Sequence, residues 1–150
     1  MLLDWALASV HHLAIFALAG ILAFELALTA GEVNAPTIGR LARVDAWYGA
    51  MAALVLAAGV ARVLWGLKTP GYYMVNAFFW TKMALFVLIA AISVAPTFRY
   101  LVWRRTALGD PTFRPDAAAV GAVRLALWAE VALFAAMPLA AAAMARGYGM

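Results

Sequence analysis

Four apolar runs, each about long enough to cross one bilayer, constrain this chain more than any other feature. They cover about Asp4 to Thr29, Asp45 to Gly66, Ala77 to Thr97 and Val120 to Ala143. A helix needs roughly 20 apolar residues to cross about 30 Å of hydrocarbon. Lipid offers a backbone amide no partner, so each run has to close its own hydrogen bonds as a helix. Between the runs lie turn formers: Gly31, Asn34 and Pro36, then Thr69-Pro70-Gly71, then Gly109-Asp110-Pro111 with Arg114-Pro115-Asp116, all of which end helices. Such short connections make consecutive helices antiparallel neighbours. The expected fold is all-α, a single integral membrane domain spanning residues 1–150 and built as a four-helix transmembrane bundle.

Composition agrees. With 68% of its 150 residues hydrophobic and a mean hydropathy of +0.94, the chain has too little polar side chain to cover a water-soluble domain. It has no cysteine, which excludes disulfides, thiolate metal sites, iron–sulfur clusters and cysteine nucleophiles. A metal would have to use His, Met, carboxylate or Lys. The net charge of +4 does not point to nucleic acid, because the arginines cluster in two loops beside apolar runs. Arg40 and Arg43 follow the first run, and Arg99, Arg104, Arg105 and Arg114 follow the third, against Lys68 in the middle loop and Arg146 at the tail. The positive-inside rule then puts both Arg-rich loops in the cytoplasm and both termini on the outer side. Asp4 stands where a signal peptide would be basic, so the first run reads as a retained helix. Asp45 and Asp116 fall near expected helix starts, where a carboxylate suits free amides and the positive end of the dipole. Trp5, Trp47, Tyr48, Trp65, Tyr72, Tyr73, Trp80, Tyr100 and Trp103 lie near segment ends, as interfacial anchors do. No Ser/His/Asp set and no phosphate-cradling glycine loop is present, which argues against hydrolysis and nucleotide chemistry.

Polar residues inside the runs carry the functional reading. An ionisable group in lipid costs roughly 2.5 to 3.5 kcal/mol on insertion scales, so it should face the interior, pair, or snorkel. This topology puts His11, His12, Arg62 and Lys82 in the outer half, Glu25, Asp45, Arg99 and Arg124 toward the cytoplasm, and Glu130 near the midplane of the last run. Arg62, Arg99 and Arg124 lie close enough to helix ends to snorkel. The histidines, the only two in the chain, are too short to do so. Adjacent helical positions differ by about 100°, so at most one of them ligates a given metal ion. His12 is favoured, because its face carries Ala8, Ser9, Phe16, Ala19 and Ala23, small residues that let a flat macrocycle or a helix approach. The His11 face carries Leu7, Ile15, Leu18 and Leu22, with Glu25 near the same line. The competing reading is that both imidazoles only hydrogen-bond between helices. Lys82 could meet haem propionates, an anionic substrate or lipid phosphate. Met51, Met83 and Met137 are candidate second axial ligands, thioether being a known haem ligand as well as ordinary core filler. Glu130, Glu25 and Asp45 are candidates for a proton route or an ion pair, with Arg124 near Glu130 and Pro138 freeing the carbonyl of Phe134.

These residues resemble a small bacterial membrane family known as domain of unknown function 2214, over most of the chain. They are also distantly similar to the HemJ-type protoporphyrinogen oxidases. That family carries a histidine in its first helix, matched here by His12-Leu13, and a Trp-x-His-x-Lys-like segment, partly matched by Phe78-Phe79-Trp80-Thr81-Lys82. Arg43-Val-Asp45-Ala-Trp47-Tyr48-Gly49 resembles the entry to its second helix. Two residues before Lys82 stands Trp80 where that family has histidine, which leaves a second histidine ligand without a counterpart. The resemblance implies a haem-b protein of the bacterial inner membrane.

The expected function is therefore b-type haem binding for electron transfer, or for oxidation of a membrane-soluble reductant such as a quinol or a porphyrinogen. His12 or His11 would be axial, and Arg62 and Lys82 would lie near the propionates. The alternatives are a cofactor-free, proton-coupled transporter using Glu25, Glu130, Lys82 and the histidines, or an accessory subunit packed against a larger complex. Expected partners are lipid, with quinone or porphyrin and a homodimer or larger membrane complex in view.

Overall fold

A computed structural model describes residues 1–149. The chain forms four long helices and one short one: α1 (Leu2–Ala30), α2 (Ala35–Trp65), α3 (Pro70–Val75), α4 (Ala77–Gly109) and α5 (Ala117–Ala145). The four long ones are apolar and long enough to cross a membrane.

Local chemistry sets their ends. Asn34 caps α2 by accepting the Thr37 amide at 3.1 Å, with Pro36 in the first turn, where its missing N–H costs nothing. Asn76 caps α4 by accepting the amides of Phe78 and Phe79 at 3.0 and 3.3 Å. Asp116 caps α5, accepting from the Ala119 amide at 2.7 Å, as its place in the sequence led one to expect. Asp45 does not play that part. The second helix begins at Ala35, so Asp45 lies well inside it and is buried. Likewise α4 runs past Thr97 to Gly109. Hydropathy marks only the lipid-immersed length of a helix, while exposed Arg40, Arg43, Arg104 and Arg105 continue α2 and α4 beyond the apolar runs.

The long helices close a ring. α1 packs on α2 and α4 on α5, and contacts of α2 with α4 and α1 with α5 complete it. That leaves α1 opposite α4 and α2 opposite α5, so only long side chains meet across the two diagonals. The most deeply buried apolar residues, among them Leu22, Ile38, Leu41, Tyr100, Trp103 and Leu127, gather at the end that carries the 31–34 and 110–116 loops. At the other end the tail folds back over the α3–α4 elbow. The Tyr72 hydroxyl donates to the Met144 carbonyl at 2.9 Å, Asn76 Nδ2 to the Tyr148 carbonyl at 3.0 Å, and the Ala77 amide to the Gly149 carbonyl at 2.9 Å. Gly149 adopts φ +82°, and a Cβ there would fall 2.8 Å from the Phe78 ring, so the position requires glycine. Phe16, Phe98, Leu125 and Leu139 are between 64% and 73% exposed on the outer faces. An apolar surface of that extent fits hydrocarbon and not water.

Candidate functional site

Two polar groupings occupy opposite ends of the bundle, 14 positions apart along α1 from His11 to Glu25, roughly 21 Å at 1.5 Å per residue.

The first lies among α1, α2 and α4. His11 is half-buried and its Nδ1 sits 3.0 Å from the Val55 carbonyl on α2. A carbonyl can only accept, so Nδ1 carries the proton, and in the neutral ring Nε2 then keeps its lone pair. Gly59, one turn beyond Val55, permits this approach: a Cβ there would lie 3.3 Å from His11 Cε1. Arg62 and Lys82, both half-buried, are the cations that act on the ring. Arg62 Nε is buried and has no hydrogen-bond partner.

His12 points elsewhere. It is exposed, its Nδ1 bonded at 2.7 Å to the Ala8 carbonyl of its own helix. It borders a shallow groove of about 520 Å³ lined by Trp5, Ala8, Ser9, Leu13 and Phe16. The two imidazoles are 6.0 Å apart at 79°, the divergence expected of adjacent helical residues. Met51, Met83 and Met137 are half-buried on three helices, and Met51 and Met137 pack against the apolar core.

The second grouping is acidic and lies on the bundle axis. Glu25, Asp45 and Glu130 are buried at 2%, 9% and 1% exposure, one each from α1, α2 and α5. Across one diagonal the Tyr48 hydroxyl donates to Glu130 Oε2 at 2.9 Å. Across the other, the Tyr100 hydroxyl lies beside the Glu25 carboxyl without a well-formed hydrogen bond. Thr97 donates to Asp45 Oδ1 at 2.8 Å, joining α4 to α2. Glu25 Oε1, Glu130 Oε1 and the Tyr100 hydroxyl are buried without partners.

The ion pair considered for Glu130 is not made. Arg124 is exposed, and among the described residues the one salt bridge is Glu32–Arg114 at 3.0 Å, between loops. Tyr48 and Tyr100 are not interfacial anchors, being 8% and 0% exposed. They stand near the ends of apolar runs but well inside longer helices. Trp103 and Tyr73 are buried too, whereas Trp5, Trp47, Trp65 and Trp80 are exposed as anchors should be. A signal for the hydroxyl partners was present: Asp45/Tyr48 and Thr97/Tyr100 are both i, i+3 pairs, which share a helix face.

A family model described as "Predicted membrane protein (DUF2214)" matches residues 3–149. Among curated proteins and among solved structures nothing matches at a significant level.

Proposed function

Since the chain belongs to this DUF2214 family of predicted membrane proteins, we propose that it is a b-type haem protein of the bacterial inner membrane that oxidises a membrane-soluble reductant. One observation carries the reading. His11 is seated through Nδ1 on a backbone carbonyl, which leaves Nε2 for a ligand, and cations from two other helices act on the ring. Histidines that ligate metals typically donate their second ring N–H in this way, which fixes the ring and raises its basicity.

The residues fit the group. His11 would be the axial ligand, and Arg62 with Lys82 would take the propionates, giving the orphaned Arg62 Nε an acceptor. Gly59 keeps the wall beside the imidazole flat. His12, although favoured by its row of small residues, has no cation-bearing neighbour helix beside it. It borders the lipid-facing groove, where a porphyrin edge, a quinone ring or a second copy of the chain would lie between Trp5 and Phe16. Bound haem supplies one-electron chemistry, while the bundle sets its potential through the axial ligand and the surrounding dielectric. The positive-inside rule, applied to the Arg-rich loops, supports an outer position for this end of the bundle and for both termini.

The test is absorption of the protein purified in detergent and supplied with haem. Wild type and His12→Ala are expected to hold a Soret band through washing, and His11→Ala to lose it. Arg62→Gln should weaken retention by about tenfold, the equivalent of about 1.4 kcal/mol. Colourless wild-type protein overturns the reading and favours proton-coupled transport or an accessory role. Loss of the band in His12→Ala alone moves the ligand to the lipid-facing groove.

A further inference from the structure

We propose that Glu25, Asp45 and Glu130, with the hydroxyls of Tyr48, Thr97 and Tyr100, form a buried proton-binding site that takes up exchangeable protons on the bundle axis. The inference does not depend on haem. Three buried carboxyl groups from three helices act on one another electrostatically, and the groups facing them from α2 and α4 are hydroxyls. No cation reaches them. Arg40, Arg43, Arg99 and Arg124, carried by α2, α4 and α5 at this end, are all exposed.

Negative charges buried near one another in a medium of low dielectric repel and lose their hydration, so the site must be neutralised by something it takes up. A metal ion does not suit the spacing, since among the described residues no three His, Cys, Asp or Glu groups lie close enough to hold one. Protons do suit it. Glu25 Oε1 and Glu130 Oε1, on side chains at least 98% buried, are acceptors without donors, and the Tyr100 hydroxyl has no partner. A proton on Glu25 or Glu130 converts an orphan oxygen into an O–H donor that can turn to its neighbour. One hydroxyl stands on each diagonal: Tyr48 donates to Glu130, and Tyr100 lies beside Glu25. The arrangement is three carboxyls sharing fewer than three charges, held by side chains that rotate without moving a helix.

Infrared spectroscopy of the full-length protein in lipid vesicles tests this directly. At neutral pH wild type should show the carbonyl stretch of protonated carboxyl groups, shifting on exchange into deuterated water. The four other acidic residues, Asp4, Glu32, Asp110 and Asp116, lie outside the site and are not buried, so the part of the band that changes in variants of Glu25, Asp45 and Glu130 belongs to the site. Glu25→Gln, Asp45→Asn and Glu130→Gln should each leave a smaller band or move it. Tyr48→Phe, which keeps every carboxyl, should displace the Glu130 component and thereby read the site where a glutamine variant fails to fold. Carboxylate bands alone in wild type, with or without retained radioactive sodium, overturn the proposal.

Discussion

The two ends of this bundle solve the problem of polar groups in lipid in opposite ways. At the loop end, carboxyls are sunk to 2%, 9% and 1% exposure among tightly buried Ile38, Leu41, Tyr100 and Leu127, and the hydroxyls that meet them come from other helices. At the opposite end, His11, Arg62 and Lys82 are only half-buried, α1 has no buried residue before Ala14, and α4 none before Ile89. The acidic end is closed and fixed by packing. The cationic end is less deeply buried, and its imidazole is seated on the Val55 carbonyl beside Gly59. A site that stores protons gains from exclusion of other donors, whereas a site that receives a cofactor gains from access.

The largest expected effect compares packing at the two ends. Leu127→Ala, at 1% exposure, should cost roughly 2–5 kcal/mol of unfolding free energy in mixed micelles. Leu7→Ala, half-buried at the open end, should cost less than half as much, and equal losses would erase the distinction. Next comes Thr97→Val, which removes the 2.8 Å bond to Asp45. It should destabilise by about 1 kcal/mol, within the range of up to roughly 1.7 kcal/mol measured for interhelical bonds in membranes. Its double cycle with Asp45→Asn should show coupling, and additive losses would mean that the bond ties nothing together.

The smallest effects belong outside the membrane, at the loops of the closed end. Glu32 and Arg114 are 72% and 47% exposed, so breaking their pair should change stability by no more than about 1 kcal/mol. In the same loop, hydrogen bonds from the hydroxyl and amide of Thr112 hold the Asp110 carboxyl below the usual range. Its contribution is therefore present above the unfolded value of about 3.9 and fades as pH falls through the lower folded value. Asp110→Asn should lower the neutral plateau slightly and flatten the acid limb while leaving stability below the folded value unchanged, and a loss of equal size at every pH would contradict that assignment.

How legible each feature is in the sequence depends on what its signal measures. Hydropathy located the spans because lipid leaves a helix no alternative, and Asp116 announced its cap by preceding a run of alanines. The same signal missed the starts and ends of α2 and α4, since their outer turns carry arginine and lie beyond hydrocarbon. That error propagated: with α2 begun at Asp45, Tyr48 looked like a surface anchor and Asp45 like a cap, when both face the axis. The acids were singled out by their cost in lipid, but not their meeting, because the partners across a diagonal are set by how four helices close a ring. His11 and His12 are told apart only by which of them faces α2, and the small residues beside His12 misdirect that choice, because it is the larger Leu18 and Leu22 on the His11 side that are buried.

The account rests most heavily on His11 as the ligand at the open end. An anomalous difference map at the iron absorption edge, from crystals of the protein grown with haem, tests it most directly. The prediction is one iron peak within bonding distance of His11 Nε2, with the porphyrin's acidic edge toward Arg62 and Lys82. A peak bonded to His12, or haem-supplied crystals with no ordered iron, would contradict it.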